Sequence, residues 1–390
     1  MTKRIYADHA ADTPLRPEVR EIIGRWYGNA SALYADGRGA RKAIENARRT
    51  VAELLGRSAG EIFFTSGGTE SDNWAVKGAA RAAGKGHILT TMIEHPAVYE
   101  SCRRMEYEGF DVTYLRPDRN GRIRNEDVLS GLRPDTILIS VMTVNNETGV
   151  IQPAGEILEI ARKRHILFHT DAVQAAGRCD IPEADLVSLA AHKFGGPQGV
   201  GILVIRKGTD IRNLMDGGSQ ERGHRAGTEN VAGIVAAAEA LKLAMQEQET
   251  ENLRLTRLQE IFLDGLAGVP GVAVTGHASG SCGAETVPGI INLRIDRIDG
   301  EELTLLLDLD GIGIATGSAC TAGEPRPSRI LTAMGCPPEE AYGSVRVSFG
   351  RGNTEEEAAK IAARIVFHVR ELRGKAPGYL GKLNRLYGLN

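Results

Sequence analysis

The stretch "ADLVSLAAHKFGGPQGVGILVIR", residues 184–206, holds two apolar runs joined by a short polar and glycine-rich link. ADLVSLAAH (184–192) and VGILVIR (200–206) read as strands, and Gly195, Gly196 and Pro197 mark the turn between them. Similar short β-rich runs precede them: EIFFTS (61–66), GHILTT (86–91), TILISVMTV (136–144) and ILFHTDAV (166–173). Helical periodicity fills the gaps at about 38–56, 70–83, 97–108 and 153–164. Strand–helix alternation of this kind predicts an α/β protein, a mostly parallel sheet with helices on both faces. Ligands of such sheets lie outside the carboxyl ends of the strands, so chemistry is sought in the loops that follow each strand.

From about 229 to 267 one long helical pattern takes over and reads as a connector between two bodies. A smaller α+β pattern follows, with strands at IINLRID (290–296) and SVRVSFG (344–350) and helices at 299–311 and 354–374. The expected division is a large domain over 14–258 and a small domain made of 1–13 with 259–390.

With 390 residues, 42% of them hydrophobic and 25% charged, the chain has the balance of a folded globular protein. A net charge of −3 gives no electrostatic footprint for nucleic acid, and no apolar run approaches the length that spans a bilayer. The N-terminus, MTKRIYADHAADTPLRPEV, lacks the apolar core of a signal peptide. The five cysteines, 102, 179, 282, 320 and 336, are odd in number, scattered and without CxxC spacing. No disulfide framework or metal site is expected, and a reduced, cytoplasmic setting is.

Lys193 lies at the end of an apolar strand, where the chain turns it into the crevice. A lysine is ordinarily a solvated surface charge; one stripped of water has a lowered pKa and can form a Schiff base with a carbonyl, pyridoxal phosphate being the common one. That cofactor needs a carboxylate at its pyridinium nitrogen. Asp171, at the end of ILFHTDAVQ, can supply it. Its phosphate needs free N–H groups at a helix start. TSGGTESDN (65–73) offers a strand, a Gly-Gly turn and then a helix opening at Thr69 and Glu70. Its ring needs a flat group on one face, and His95 in MIEHPAV follows another strand. Each feature alone is commonplace; their arrival at strand ends of one sheet is what joins them.

Cys320 stands in "ATGSACTAGEP" (315–325) among residues too small to pack against it. Two readings compete: a small buried hydrophobe, or a nucleophile on a loop of small residues.

The chain resembles the cysteine desulfurases of the NifS/IscS type, class V aminotransferases of the fold-type I pyridoxal phosphate enzymes, nearly end to end. The resemblance is carried by YADHAADTP, GNASALYADGRGAR, FTSGGTESDN, EHPAV, VNNETG, HTDAVQAAG, AHKFGGPQGVG, QERGHRAGTENV, GSACTAG and SVRVSFGRGNTEEE. It implies that Lys193 is the Schiff-base lysine, Asp171 the pyridinium partner and Gln174 the partner of the cofactor's phenolic oxygen. His95 is similar to the stacking residue and acid/base, and Gly68, Thr69 and His192 to phosphate ligands. Thr228 resembles a phosphate ligand lent to the neighbouring subunit, which implies a homodimer. Asn146, counted also among the cofactor contacts, and Arg346 resemble the clamp on the substrate carboxylate. Cys320, on a loop of about 315–327, matches the cysteine that takes sulfur from L-cysteine, leaving L-alanine and a persulfide for a sulfur-acceptor protein.

The acceptor stays open: an iron–sulfur scaffold, a tRNA-modifying relay, a DNA-modification system or another. The role of the C-terminal stretch 376–390 stays open too. So do two other activities, selenocysteine lyase or cysteine sulfinate desulfinase on the same fold, and a weakly active scaffold for sulfur-transfer partners. The chain departs from the family pattern at Ala190, where a serine hydroxyl for the phosphate is usual, and at Tyr34, Gln198 and Ser219.

Overall fold

The computed structural model describes residues 4–276, 285–316 and 327–374. Seven strands form the main sheet: β1 (Ile62–Thr65), β2 (His87–Thr91), β3 (Asp111–Leu115), β4 (Thr136–Ser140), β5 (Leu167–Asp171), β6 (Leu186–Ala190) and β7 (Gly201–Ile205). Their spatial order is β1-β7-β6-β5-β4-β2-β3. The β2–β6 pairings are parallel; β7 runs antiparallel to both its neighbours, β1 and β6. Thr65 and Ala190 both pair with Gly201, so the carboxyl ends of β1 and β6 lie on the same edge of the sheet as those of β2, β4 and β5.

Alternate side chains divide between the two faces. Ile62, Phe64, Leu89, Ile139, Val187, Leu189, Ile202 and Val204 join one core cluster, which packs under the helices α1 (Ala35–Leu54) and α5 (Val231–Gln246). Phe63, Ile88, Leu138, Leu186, Leu203 and Ile205 face the other way, against Trp74, Ala75 and Val76 of α2 (Gly68–Ala83) and Val98, Cys102 and Met105 of α3 (Pro96–Tyr107). Between β4 and β5 runs α4 (Ala154–Arg164).

The C-terminal body is a four-stranded antiparallel sheet of β8 (Val272–Val274), β9 (Ile290–Ile295), β10 (Ala315–Thr316) and β11 (Ser344–Ser348), in the order β10-β11-β9-β8. Its core combines Leu255, Leu258 and Phe262 of α6 (Gln248–Asp264) with residues of α7 (Gly300–Leu309) and α9 (Glu355–Gly374). Ile5 and Ala7 of the N-terminus belong to this cluster. A five-residue helix, α8 (Arg329–Ala333), instead sends Ile330, Leu331 and Ala333 into the main-sheet core.

Three details differ from the sequence reading. TILISVMTV is regular strand only to Ser140: beyond it Val141 and Thr143 still donate to the carbonyls of His169 and Asp171 in β5, while Val144 turns to a bridge with Ile151. The pattern 229–267 is two helices broken at Glu247, which lets α5 face one core and α6 the other. DVTYL at 111–115 is an edge strand, too exposed to show the apolar run of a buried one.

Candidate active site

The five carboxyl ends on one sheet edge deliver the five sequence-predicted segments to one place: 66–69 after β1, 92–95 after β2, 141–146 after β4, 171–174 at β5 and 191–193 after β6. Lys193 reaches the N-terminal strip, where its Nζ donates to the carbonyls of Ala10 (2.8 Å) and Ala11 (2.6 Å). Burial, helped by the positive charge of Arg346, pushes its pKa down to about 8, against the pull of Asp12, Asp8 and Asp171. A much larger share of the amine is therefore free near neutrality than for an ordinary lysine, about a tenth of it at pH 7.

Asp171 is buried, and burial lifts its carboxyl to about 6, although the Val173 N–H (2.9 Å) and Lys193 favour the charged form. A carboxylate held in this way gains by facing a cation. Gln174 donates its Nε2 to the Ala10 carbonyl at 2.8 Å and leaves a buried Oε1 without a partner. His95 caps α3 by accepting the Ala97 N–H on Nδ1 at 3.1 Å. Burial, then Lys193, Arg329 and His192, lower its pKa to about 4, so its imidazole is neutral. His192 is half-buried and also shifted down, by burial and Lys193.

Arg346 comes from β11, in the C-terminal sheet. Its Nη2 pairs with Asp8 Oδ1 at 2.7 Å and its Nη1 donates to the Asn146 carbonyl at 2.8 Å. Its Nε and the Asn146 Oδ1 are buried without partners. The two bodies thus meet at a guanidinium and an amide that both have capacity left for a ligand.

The turn into α2 has no side-chain cap, so the first N–H groups of the helix stay open. Gly68 keeps the turn close to the sheet: a Cβ there would lie 3.0 Å from Val173 Cγ2 and 3.3 Å from Ala190 Cβ. Glu70 turns back to accept the Ser66 N–H at 2.8 Å and is clamped by Arg225 at 2.8 and 3.1 Å, leaving Thr69 exposed at the mouth. These are the features a phosphate-bearing pyridine requires: open amides at a helix start, a buried carboxylate, a neutral aromatic flat face, an orphaned amide oxygen and a lysine of lowered pKa. The residues fit pyridoxal phosphate.

Thr228 is exposed and, with Thr65, Ser66, Gly199 and Asn230, lines a cavity of about 130 Å³ behind the same turn. Cys320 lies outside the described residues. Sequence reasoning did not single out Asp8, which orients Arg346, although it lies in the quoted motif YADHAADTP. It also did not single out the carbonyls of Ala10 and Ala11, since a main-chain oxygen carries no sequence signal. Nor did it find the buried Asp72, whose Oδ1 lies 3.6 Å from His169 Nε2 beneath Asp171.

A fold of this topology with a strand-end lysine defines a fold-type I pyridoxal phosphate enzyme. The chain belongs to the aminotransferase class-V family, whose model matches residues 5–361. It is 45% identical over 386 residues to the cysteine desulfurase IscS of Methanosarcina thermophila, covering 96% of this chain and 94% of that one. Among solved structures it resembles a NifS-like protein, with a TM-score of 0.87, 36% identity and coverage of 94% of this chain and 100% of that one. It also resembles SspA, solved in complex with cysteine, with a TM-score of 0.77, 34% identity and coverage of 88% and 98%. With near-full-length relatives of this identity named cysteine desulfurases, the chain's activity is that of a pyridoxal phosphate-dependent cysteine desulfurase.

Proposed function

We propose that Lys193, Asp171, Gln174, His95, Gly68, Thr69 and His192 hold pyridoxal phosphate, that Asn146 and Arg346 hold the carboxylate of L-cysteine, and that Cys320 takes its sulfur. The observation that carries this reading is the convergence of Lys193, Asp171, His95 and Arg346 on one edge of the sheet, with the lysine's pKa lowered and the His95 imidazole neutral.

Bound there, pyridoxal phosphate withdraws electrons from the substrate's α-carbon. Asp171 keeps negative charge at the pyridinium end, and Gln174 presents its free Oε1. The open amides of Gly68 and Thr69 receive the phosphate. Arg346, held by Asp8, forks onto the carboxylate beside Asn146. Lys193 Nζ, with its lowered pKa, takes the α-proton, and neutral His95 stands by to move a proton at Nε2. Cys320 attacks the substrate sulfur: the Cβ–S bond breaks, an S–S bond forms on Cys320, and Cβ gains a proton. Cysteine and a thiol thereby become alanine and a persulfide with no outside oxidant. Cys102, Cys179 and Cys336 are poor candidates for this step, because burial raises all three thiols, Cys179 to about 12.

The reading includes a cytoplasmic homodimer in which Thr228 reaches the partner's phosphate. An acceptor protein takes the persulfide sulfur, for iron–sulfur cluster assembly or another sulfur-transfer route. Among the described residues no helix is long and apolar enough to cross a membrane.

The test is Cys320→Ser. The variant keeps bound cofactor and cysteine affinity but releases almost no alanine, and mass spectrometry after one wild-type turnover finds the added 32 Da (one sulfur atom, about that mass by the S–S step above) on Cys320. Full turnover by Cys320→Ser, or sulfur on another cysteine, refutes the assignment.

A further inference from the structure

Two neighbouring side chains at the start of α8, its N-cap Ser328 and its first residue Arg329, reach across to the site, and neither belongs to the cofactor or substrate sets above. Arg329 donates from Nη1 to the Met92 carbonyl and from Nη2 to the Glu94 carbonyl, the latter at 2.5 Å. Its guanidinium carbon also sits 4.2 Å from the centre of the Tyr99 ring. Met92 and Glu94 form the turn that ends at His95, and Tyr99 lies one helical turn beyond it in α3. One planar fork therefore grips the segment on both sides of His95. The preceding residue, buried Ser328, donates its Oγ–H to Glu147 Oε2 at 2.5 Å while accepting the Leu331 N–H that caps α8. Glu147 follows Asn146, whose carbonyl is already fixed by Arg346.

We propose that Ser328 and Arg329 are positioning residues of the reaction, Arg329 setting the His95 ring and Ser328 setting the Asn146 turn. The inference rests on the reading of His95 and Asn146 as site residues. Only a guanidinium spans two carbonyls and an aromatic face at once; an ammonium of the same charge satisfies one carbonyl. The Ile330 and Leu331 side chains anchor α8 in the main-sheet core, so the fork is presented from a packed element. Electrostatics works in the same direction. The charged or titratable groups acting on His95 are Lys193 and His192 from the end of β6 and Arg329 from α8, with the adjacent Glu94 in turn facing Asp171 and Arg329. Burial holds the Glu94 proton to about 8, so Glu94 does not offset the cations, and Arg329 helps keep the His95 imidazole neutral.

Arg329→Met retains the apolar stem over Tyr99 and removes both donors and the charge. Arg329→Lys retains charge and one donor, and serves as the reading if the methionine variant does not fold. The first readout is the protonation midpoint of His95, from histidine C2 hydrogen exchange with mass spectrometry on the full chain without cofactor. The second is the circular dichroism band of bound pyridoxal phosphate, which reports ring orientation. The third is the split between kcat and KM for L-cysteine. Arg329→Met raises the His95 midpoint by about one pH unit, alters the dichroism band and lowers kcat about tenfold or more with little change in KM. Arg329→Lys restores the midpoint more than the band. Ser328→Ala acts on KM more than on kcat.

A wild-type His95 midpoint and a wild-type band in Arg329→Met overturn the proposal, even if activity falls. Failure of the underlying cofactor assignment shows separately, as wild-type protein in which borohydride fixes no pyridoxal phosphate on Lys193.

Discussion

Replacing Ala190 with serine adds a hydroxyl at a position where the resemblance leads one to expect a donor in the proposed phosphate cup. The side chain at 190 closes strand β6, is 1% exposed and faces the turn into α2, since a Cβ on Gly68 would approach its methyl to 3.3 Å. An added Oγ therefore points into the cup. Without cofactor, an unsatisfied buried hydroxyl there costs roughly 1–3 kcal/mol. With cofactor, a hydrogen bond to a charged phosphate stabilises by roughly 1.5–3 kcal/mol. The two states move in opposite directions and the effects add to roughly 2.5–6 kcal/mol, so pyridoxal phosphate binding tightens by about sixtyfold or more. Urea unfolding of the cofactor-free chain reads the first effect, and titration followed by Trp fluorescence reads the second. An affinity within about twofold of wild type (well under the roughly 1.4 kcal/mol that a tenfold change represents) means another donor already fills the position, and the reasoning fails. A cofactor-free chain stabilised by the serine refutes the orphaned-hydroxyl half of the argument.

Two further outcomes follow from the charge states. Lys193 reacts as the free amine, so capture of pyridoxal phosphate, trapped with borohydride, rises with pH through a midpoint near 8. Arg346→Gln removes a positive neighbour, favours the ammonium and moves that midpoint upward; a wild-type midpoint at the ordinary lysine value of 10.5 contradicts the site. His95 is neutral in the fold down to about 4 but takes its proton near 6.5 when unfolded, so between those values the unfolded chain binds more protons and stability falls as pH falls. His95→Asn removes about 1 kcal/mol per pH unit from that slope, and pH-dependent urea melts of the cofactor-free chain check it. An unchanged slope means that His95 titrates normally.

The order of chemistry along the chain was legible before any coordinates. Lys193 after an apolar strand, Asp171 at a strand end, the Gly-Gly turn before Thr69 and His95 after GHILTT are local patterns, and local patterns survive in a one-dimensional string. Strand-end placement follows from the alternation of strand and helix alone, because parallel strands share one carboxyl edge. The string could not show which distant groups complete each residue. Lys193 is held by carbonyls 182 and 183 residues away, and Arg346 by an aspartate 338 residues away. The break at Glu247 and the edge strand 111–115 were hidden as well, since each depends on which core or edge the segment meets. Arg329 is the clearest case. In the sequence it is one more surface arginine after a proline-rich run; only the packing of α8 against the main sheet brings its guanidinium to the turn beneath His95. Residue type and local spacing fix what a group can do. The direction a side chain faces, the water it loses and the charge it meets belong to the tertiary structure, because they are set by neighbours remote in sequence.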